Sequence, residues 1–85
     1  MLEMLKIDLG ITTDAYNSRL NEYLSAAAAE ITREGATLDT DGSVDDQMLV
    51  IMYAAWMWRR RDTMEGMPRM LRYALNNRVL QEAMN

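Results

Sequence analysis

The chain has 85 residues, of which 49% are apolar and 26% are charged, and its formal net charge is −4 at pH 7. This length holds one hydrophobic core and excludes a second domain, and the balance of apolar and charged residues excludes a disordered chain. The absence of cysteine and histidine excludes disulfide bonds, thiolate metal sites and imidazole catalysis. We therefore expect a single domain, residues 1–85, that is not an enzyme and holds no metal or cofactor.

The charge is distributed unevenly along the chain. Residues 1–46 hold three basic and ten acidic side chains, whereas residues 47–85 hold six arginines and three acidic side chains, so the two halves carry −7 and +3. A subunit with this polarity favours head-to-tail contact with a copy of itself, a geometry that closes into rings. The alternative is that the halves of the sequence do not correspond to halves of the surface.

The first predicted helix is short and covers about residues 2–9. Leu2, Leu5 and Leu9 lie on one side of it. Gly10 follows as a left-handed C-terminal cap, after which Ile11 is expected to fold back. The sequence MLEMLKIDLG also lacks the basic segment and cleavage site of a signal peptide, and we expect none.

The second predicted helix begins near Thr13 or Asp14, whose side-chain oxygen can accept a hydrogen bond from the free amides of the first turn. It continues to about Arg33, with Gly35 just beyond it. Its apolar residues follow the spacing of an amphipathic helix. They are Tyr16, Leu20, Tyr23, Leu24, Ala27 and Ile31. Residues 36–42 are then predicted to form a loop.

The third predicted helix begins at Val44, because Ser43 and Asp46 resemble a capping box. It continues through Trp58 to about Arg61. From Met48 to Trp58 every residue is apolar. That run is about half the length needed to span a bilayer, so we expect a buried helix and no membrane partner.

The fourth predicted helix has Pro68 in its first position, where the missing N–H is tolerated. It continues to about Ala83, after a connector at residues 62–67. Its inner side carries Leu71, Ala74, Leu75 and Val79. The predicted fold is therefore all-α, a small bundle of about four helices in which a short N-terminal helix precedes three longer ones.

The third helix offers the candidate site for protein contact. Successive helical residues lie 100° apart, which places Val44, Met48, Ile51, Ala55 and Trp58 on a face expected to pack within the subunit. The opposite face and the following arginines are predicted to contact a neighbouring subunit. This predicted interface comprises Val50, Tyr53, Trp56, Met57, Arg59, Arg60 and Arg61. The alternative is that the third helix lies at the centre of the fold and is covered all round by its own chain.

Two other clusters have competing interpretations. The acidic loop with Asp39, Asp41, Asp45 and Asp46 lacks the spacing of a calcium-binding loop, which favours a solvated loop and helix cap over a metal site. The three arginines with the nearby tryptophans resemble a nucleic-acid patch, but the acidic isoelectric point of about 4.6 argues against tight binding of a polyanion. The alternative function is accordingly a small helical nucleic-acid-binding or regulatory protein.

The segments MYAAWMWRRR (52–61) and GMPRMLRYALNNR (66–78) resemble the small head-tail connector, or adaptor, proteins of long-tailed double-stranded DNA phages and their prophages. The opening LEMLKIDLGITTDAYNSRLNEYLSAAAAEI (2–31) is similar to the same family, in which a short helix, a G-I-T turn and a long helix come first. The resemblance covers nearly the whole chain. Its motifs consist of apolar and capping residues and contain no catalytic chemistry.

This resemblance implies an all-helical structural subunit that assembles into a homo-oligomeric ring of about twelve copies beneath the phage portal protein. Tail or stopper proteins would dock below the ring, and genomic DNA would pass through its lumen with at most non-specific contact. The subunit would reside in the virion at the junction of capsid and tail, and in the bacterial cytoplasm during assembly. The chain is at the short end of the family's range of lengths.

Overall fold

The computed structural model describes residues 1–62 and 66–84, and at Asp62 it describes the backbone only. Within these ranges it has four α-helices and no strand, which confirms the predicted all-α bundle. The helices are α1 (Leu2–Leu9), α2 (Asn17–Arg33), α3 (Val44–Arg59) and α4 (Arg69–Met84), and a 3-10 turn at Arg60–Asp62 continues α3.

Helix α1 ends as its sequence predicts. Gly10 has φ 72° and ψ 26°, the left-handed conformation that side chains other than glycine rarely adopt. Its N–H donates to the carbonyl of Ile7 over 3.2 Å, and the N–H of Ile11 donates to the carbonyl of Lys6 over 2.9 Å. These two bonds satisfy carbonyls at the end of the helix and turn the chain toward α2.

Helix α2 begins at Asn17, so the predicted start at Thr13 or Asp14 is wrong by about one turn. The polar side chains there form a turn before the helix. The hydroxyl of Thr13 accepts from the N–H of Ala15 over 3.2 Å, and the carboxylate of Asp14 accepts from Lys6 over 2.7 Å and from the amide of Asn17 over 3.3 Å. The predicted end at Arg33 is confirmed.

Helix α3 begins at Val44 as predicted, with the hydroxyl of Ser43 accepting from the N–H of Asp46 over 3.2 Å. The reciprocal half of the predicted capping box is wrong, because the carboxylate of Asp46 bonds elsewhere. The regular helix ends at Arg59, two residues earlier than predicted. No helix in the described ranges is long and apolar enough to cross a bilayer.

Helix α4 begins at Arg69, directly after Pro68, whose carbonyl accepts from the N–H of Arg72 over 3.1 Å. Its predicted inner side is confirmed, since Leu71 and Leu75 are buried and the two other residues of that side are half-buried. Of the predicted connector, residues 63–65 lie outside the described residues.

Helix α3 is the centre of the bundle, because α1, α2 and α4 all pack against it. The core combines buried apolar side chains from all four helices with Ala36 of the loop before α3. They are Leu5, Leu20, Leu24, Ala27, Ile31, Ala36, Leu49, Val50, Ile51, Tyr53, Ala54, Ala55, Leu71 and Leu75. The buried part of α3 therefore extends most of the way around the helix. The surface available for contact with other molecules consists of the exposed residues of the bundle.

Candidate interaction surface

Two residues of the predicted interface on α3 lie in the core. Val50 is 0% exposed and Tyr53 is 7% exposed, and burial raises the pKa of the Tyr53 hydroxyl. The expectation that a lone subunit would leave them open to water is wrong. Val44 and Met48, which were expected to pack inside, are 70% and 41% exposed. The alternative prediction, a central helix covered by its own chain, describes α3 better.

The other predicted interface residues keep some surface. Trp56, Met57 and Trp58 are half-buried. The indole N–H of Trp56 donates to the carbonyl of Gly66 over 3.1 Å, and its ring meets that of Tyr53 edge to face with centroids 5.4 Å apart. The C-terminal end of α3 is thus tied to the segment that leads into α4.

The three arginines after Trp58 are exposed, but each contacts its own chain. The guanidinium of Arg60 lies 4.4 Å from the ring centre of Trp56, and that of Arg61 lies 3.9 Å from the ring centre of Trp58. Arg59 forms a long ion pair of 3.5 Å with Asp8 of α1. Cation–π contacts of this kind contribute about 0.5–1 kcal/mol at exposed sites. These contacts of the three arginines therefore stabilise the C-terminal end of α3.

Trp58 is the centre of an aromatic cluster that joins α3 to α2. Tyr16 and Tyr23 both meet its ring edge to face, with centroid separations of 5.7 and 5.6 Å. Edge-to-face pairs are the arrangement that the charge distribution of aromatic rings favours. The Trp58 ring thus contacts two tyrosines and the guanidinium of Arg61. This tryptophan is therefore a structural residue of the bundle.

Sequence reasoning missed an ion pair that links α4 to the start of α3. The side chain of Arg78 donates to the carboxylate of Asp46 over 2.8 Å. Asp46 also accepts from the N–H of Asp39 over 2.9 Å, and Arg78 donates to the carbonyl of Thr37 over 2.6 Å. The bond from Arg78 holds the pKa of Asp46 below its usual value, with burial opposing it. The pair therefore joins two helices and the loop between α2 and α3.

Hydrogen bonds between side chains and backbone stabilise the acidic loop. The carboxylate of Asp39 accepts from the N–H of Gly42 over 3.0 Å, and Asp46 is engaged with Arg78. Among the residues that the structure describes, no group of three or more acidic side chains is close enough to hold a metal ion. The geometry is that of a turn leading into the cap of α3.

Exposed apolar residues on α1 and α4 were also missed. On α1, Met4 and Ile7 are 47% and 78% exposed. On α4 the exposed apolar residues are Met70, Tyr73, Leu80 and Met84, at 76%, 68%, 58% and 77%. The sequence signal was present on α4, since these four are spaced by three, seven and four positions. The prediction of an inner side on α4 does not use this spacing.

Of the hollows beside α3 in the described part of the chain, two apolar ones lie against Met48 and Met57. The first, about 220 Å³, lies between α1 and α3 and is lined by Met4, Ile7, Asp8, Met48 and Ile51. The second, about 160 Å³, lies between α2 and α3 and is lined by Arg19, Glu22, Tyr23, Ala26 and Met57. Met48 and Met57 are nine positions apart, which places them about 180° apart around the helix. The hollows therefore lie on opposite sides of α3.

Comparison of the chain with protein-family models, with curated proteins and with solved structures gives no match.

Proposed function

We propose that this chain is a non-catalytic structural subunit that assembles into a ring between a phage portal and tail. This is the role of the head-tail connector proteins that its sequence resembles. The observation that carries the proposal is the pair of apolar hollows on opposite sides of α3, one beside Met48 and the other beside Met57. Exposed apolar surface of this kind is typical of protein-protein contact sites.

A ring requires two different surfaces on each subunit, because a head-to-tail contact repeats around a rotation axis. Opposite hollows meet this requirement, since a neighbour on each side would cover one of them. The hollow beside Met48 is rimmed by Asp8, and the other hollow is lined by both Arg19 and Glu22. The surfaces at the two hollows are therefore unlike, as a head-to-tail contact requires.

Methionine suits this use because its side chain is flexible and adapts to more than one neighbour. The chain has nine methionines and no phenylalanine. Of the interface predicted from the sequence, Met57 lines a hollow, and Trp56 and the arginines 59–61 border the end of α3. In the proposed ring these residues form the α3 part of one contact, and Met48 and Ile51 form the α3 part of the other.

The experiment is docking of the purified chain onto rings of a phage portal protein, followed by electron microscopy and light scattering. The wild-type chain should add a ring to the portal. Ile7→Glu and Met57→Glu each place a charge in one of the two hollows and should each abolish the added ring. Thr32→Glu adds the same charge at an exposed position of α2 that lines neither hollow, and it should dock normally.

A mixture of Ile7→Glu and Met57→Glu is the sharper test. Ile7→Glu keeps the hollow beside Met57 intact, and Met57→Glu keeps the hollow beside Met48 intact. In a head-to-tail contact these two intact hollows can form one interface between the two variants, and no second interface can form. The mixture should form pairs that never close into a ring. The proposal is contradicted if the wild-type chain stays monomeric at every concentration and does not bind the portal rings. Sub-micromolar, sequence-dependent binding of duplex DNA at physiological salt would instead support the regulatory alternative.

A further inference from the structure

Helix α4 carries apolar side chains on two opposite sides. Leu71 and Leu75 face the core of their own chain. The other side forms a stripe of exposed residues along the length of the helix, which we call the α4 seam. It consists of Met70, Tyr73, Asn77, Leu80 and Met84.

The spacing within the α4 seam is that of a coiled coil. Its five residues are separated by three, four, three and four positions, which matches the a and d positions of two successive heptads. Core-facing helices of a bundle carry a broader stripe than this. A narrow stripe at this spacing, exposed on a helix whose other side is already packed, fits a single additional helix lying along it.

The charged side chains of α4 do not prevent the seam from pairing with the same seam of a second copy. Arg72 pairs with Glu34 over 2.8 Å, and Arg78 pairs with Asp46 and with Glu82, so these charges are held on the side of their own chain. The positions that flank the seam are uncharged after Arg69. They are Ala74, Asn76, Gln81 and Ala83. Two copies can therefore approach seam to seam without repulsion between like charges along most of its length.

Asn77 lies at the middle of the seam. Its exposed side-chain amide makes no hydrogen bond within the described residues. An amide both donates and accepts, so two such groups can satisfy each other. In a parallel pair, the two-fold axis along the seam places Asn77 of one copy opposite Asn77 of the other. A single asparagine among the apolar positions of a helix pair fixes its register and number of strands at a cost in stability.

We infer that α4 is a dimerisation helix whose seam pairs with the same seam of a second copy of this chain. This contact uses one surface twice, whereas the proposed ring needs two different surfaces, so the inference goes beyond the proposed function. A groove beside the seam, between α3 and α4, is lined by apolar side chains such as Met52 and Ala74 and by charged ones that include Asp45 and Arg78. The partner helix would also cover part of that groove.

The pair should be weak. A helix of 16 residues is about 24 Å long, and one face of it offers less than the roughly 800 Å² per partner of a standard stable interface. We therefore expect a weak dimer that forms only at high protein concentration. A weak pair of this kind suits the free subunit, because it yields readily to a tighter partner.

The test is analytical ultracentrifugation of the full chain from about 10 µM to about 1 mM, with circular dichroism of each variant as a check on folding. The wild-type chain should shift from monomer to dimer across this range. Leu80→Glu should weaken the dimer at least tenfold with unchanged helical content. Asn77→Leu should tighten it at least tenfold, because the buried polar group is replaced by an apolar one. Thr32→Glu should leave it unchanged.

Two results would overturn the inference. One is a wild-type chain that remains monomeric at 1 mM, whatever Asn77→Leu does. The other is a dimer that persists in Leu80→Glu but is lost in Ile7→Glu or Met57→Glu, which would assign the association to the hollows beside α3. Portal docking distinguishes the two proposals, since Leu80→Glu should still add a ring to the portal if only the α4 pairing is affected.

Discussion

Arg78 of α4 and Asp46 of α3 form an ion pair of 2.8 Å in which the aspartate side chain is 5% exposed and the arginine side chain 18% exposed. Arg78→Met removes the main partner of this nearly buried carboxylate. We expect the free energy of unfolding to fall by about 3 kcal/mol, since breaking a buried pair leaves an uncompensated charge. Urea denaturation followed by circular dichroism measures this loss.

Arg72→Met is the matched control on the same helix. Arg72 pairs with Glu34 at the same distance, 2.8 Å, but both side chains are substantially exposed. Exposed pairs contribute about 0–1 kcal/mol, so this variant should lose less than 1 kcal/mol. Equal losses in the two variants would show that the burial of Asp46 does not determine the strength of the pair.

Gly10 provides a test of the backbone at the end of α1. Its φ of 72° is strained for alanine, and a Cβ added there meets nothing within 4 Å. Gly10→Ala should therefore cost about 1–2 kcal/mol from conformation alone. Gly66→Ala is the control, because that glycine also has open space around it and does not have a positive φ. It should change stability by less than about 0.5 kcal/mol, and thermal denaturation of both variants checks the difference.

The helices and most of their ends could be predicted from the sequence because they depend on neighbouring residues. Gly10 as a left-handed cap and Ser43 as an N-terminal cap act within one turn of chain, and both were predicted correctly. The start of α2 was wrong because Asp14 bonds to Lys6, eight residues earlier. A capping residue that finds a partner outside its own helix leaves no local pattern.

The outward face of α3 could not be predicted for a different reason. Every residue from Met48 to Trp58 is apolar, so periodicity contains no polar side to mark the surface. Which side is exposed depends on where α1, α2 and α4 pack. The partnership of Asp46 with Arg78, 32 positions apart, is likewise a property of the tertiary fold.

Substitutions on α3 test its central position. Ile51→Asp and Tyr53→Glu each place a carboxylate at a site that is less than a tenth exposed, and Ile51 and Tyr53 lie on opposite sides of the helix. A buried unpaired charge costs several kcal/mol, which is comparable to the whole stability of a domain of this size. Both variants should lose their helical circular dichroism.

Met57→Glu should retain the helices, because Met57 is half-buried at the edge of a surface hollow and the charge can reach water. Size-exclusion chromatography should show a compact monomer. A folded Tyr53→Glu would contradict the structure of α3 described above and would favour a face covered by a neighbouring subunit.

The acid sensitivity of the fold should depend on Asp46. Because Arg78 holds the pKa of Asp46 below its usual value, the folded chain binds this proton less readily than the unfolded chain. Asp46 therefore stabilises the fold above the unfolded pKa of about 3.9, and this stabilisation is lost as the pH falls through the lower pKa of the folded state. Wild-type stability should be level near pH 7 and fall below about pH 4.

Asp46→Asn isolates this contribution, since an amide does not titrate in this range. At pH 7 the variant should be less stable than the wild type, because Arg78 loses its charged partner. The difference should narrow as the pH is lowered, because protonation of Asp46 removes the same charge from the wild-type chain. Asp14, whose pKa is lowered by Lys6, titrates in both proteins and cancels in the comparison. Urea denaturation at steps between about pH 7 and about pH 2 measures the two curves, and parallel curves would show that Asp46 does not control the acid response.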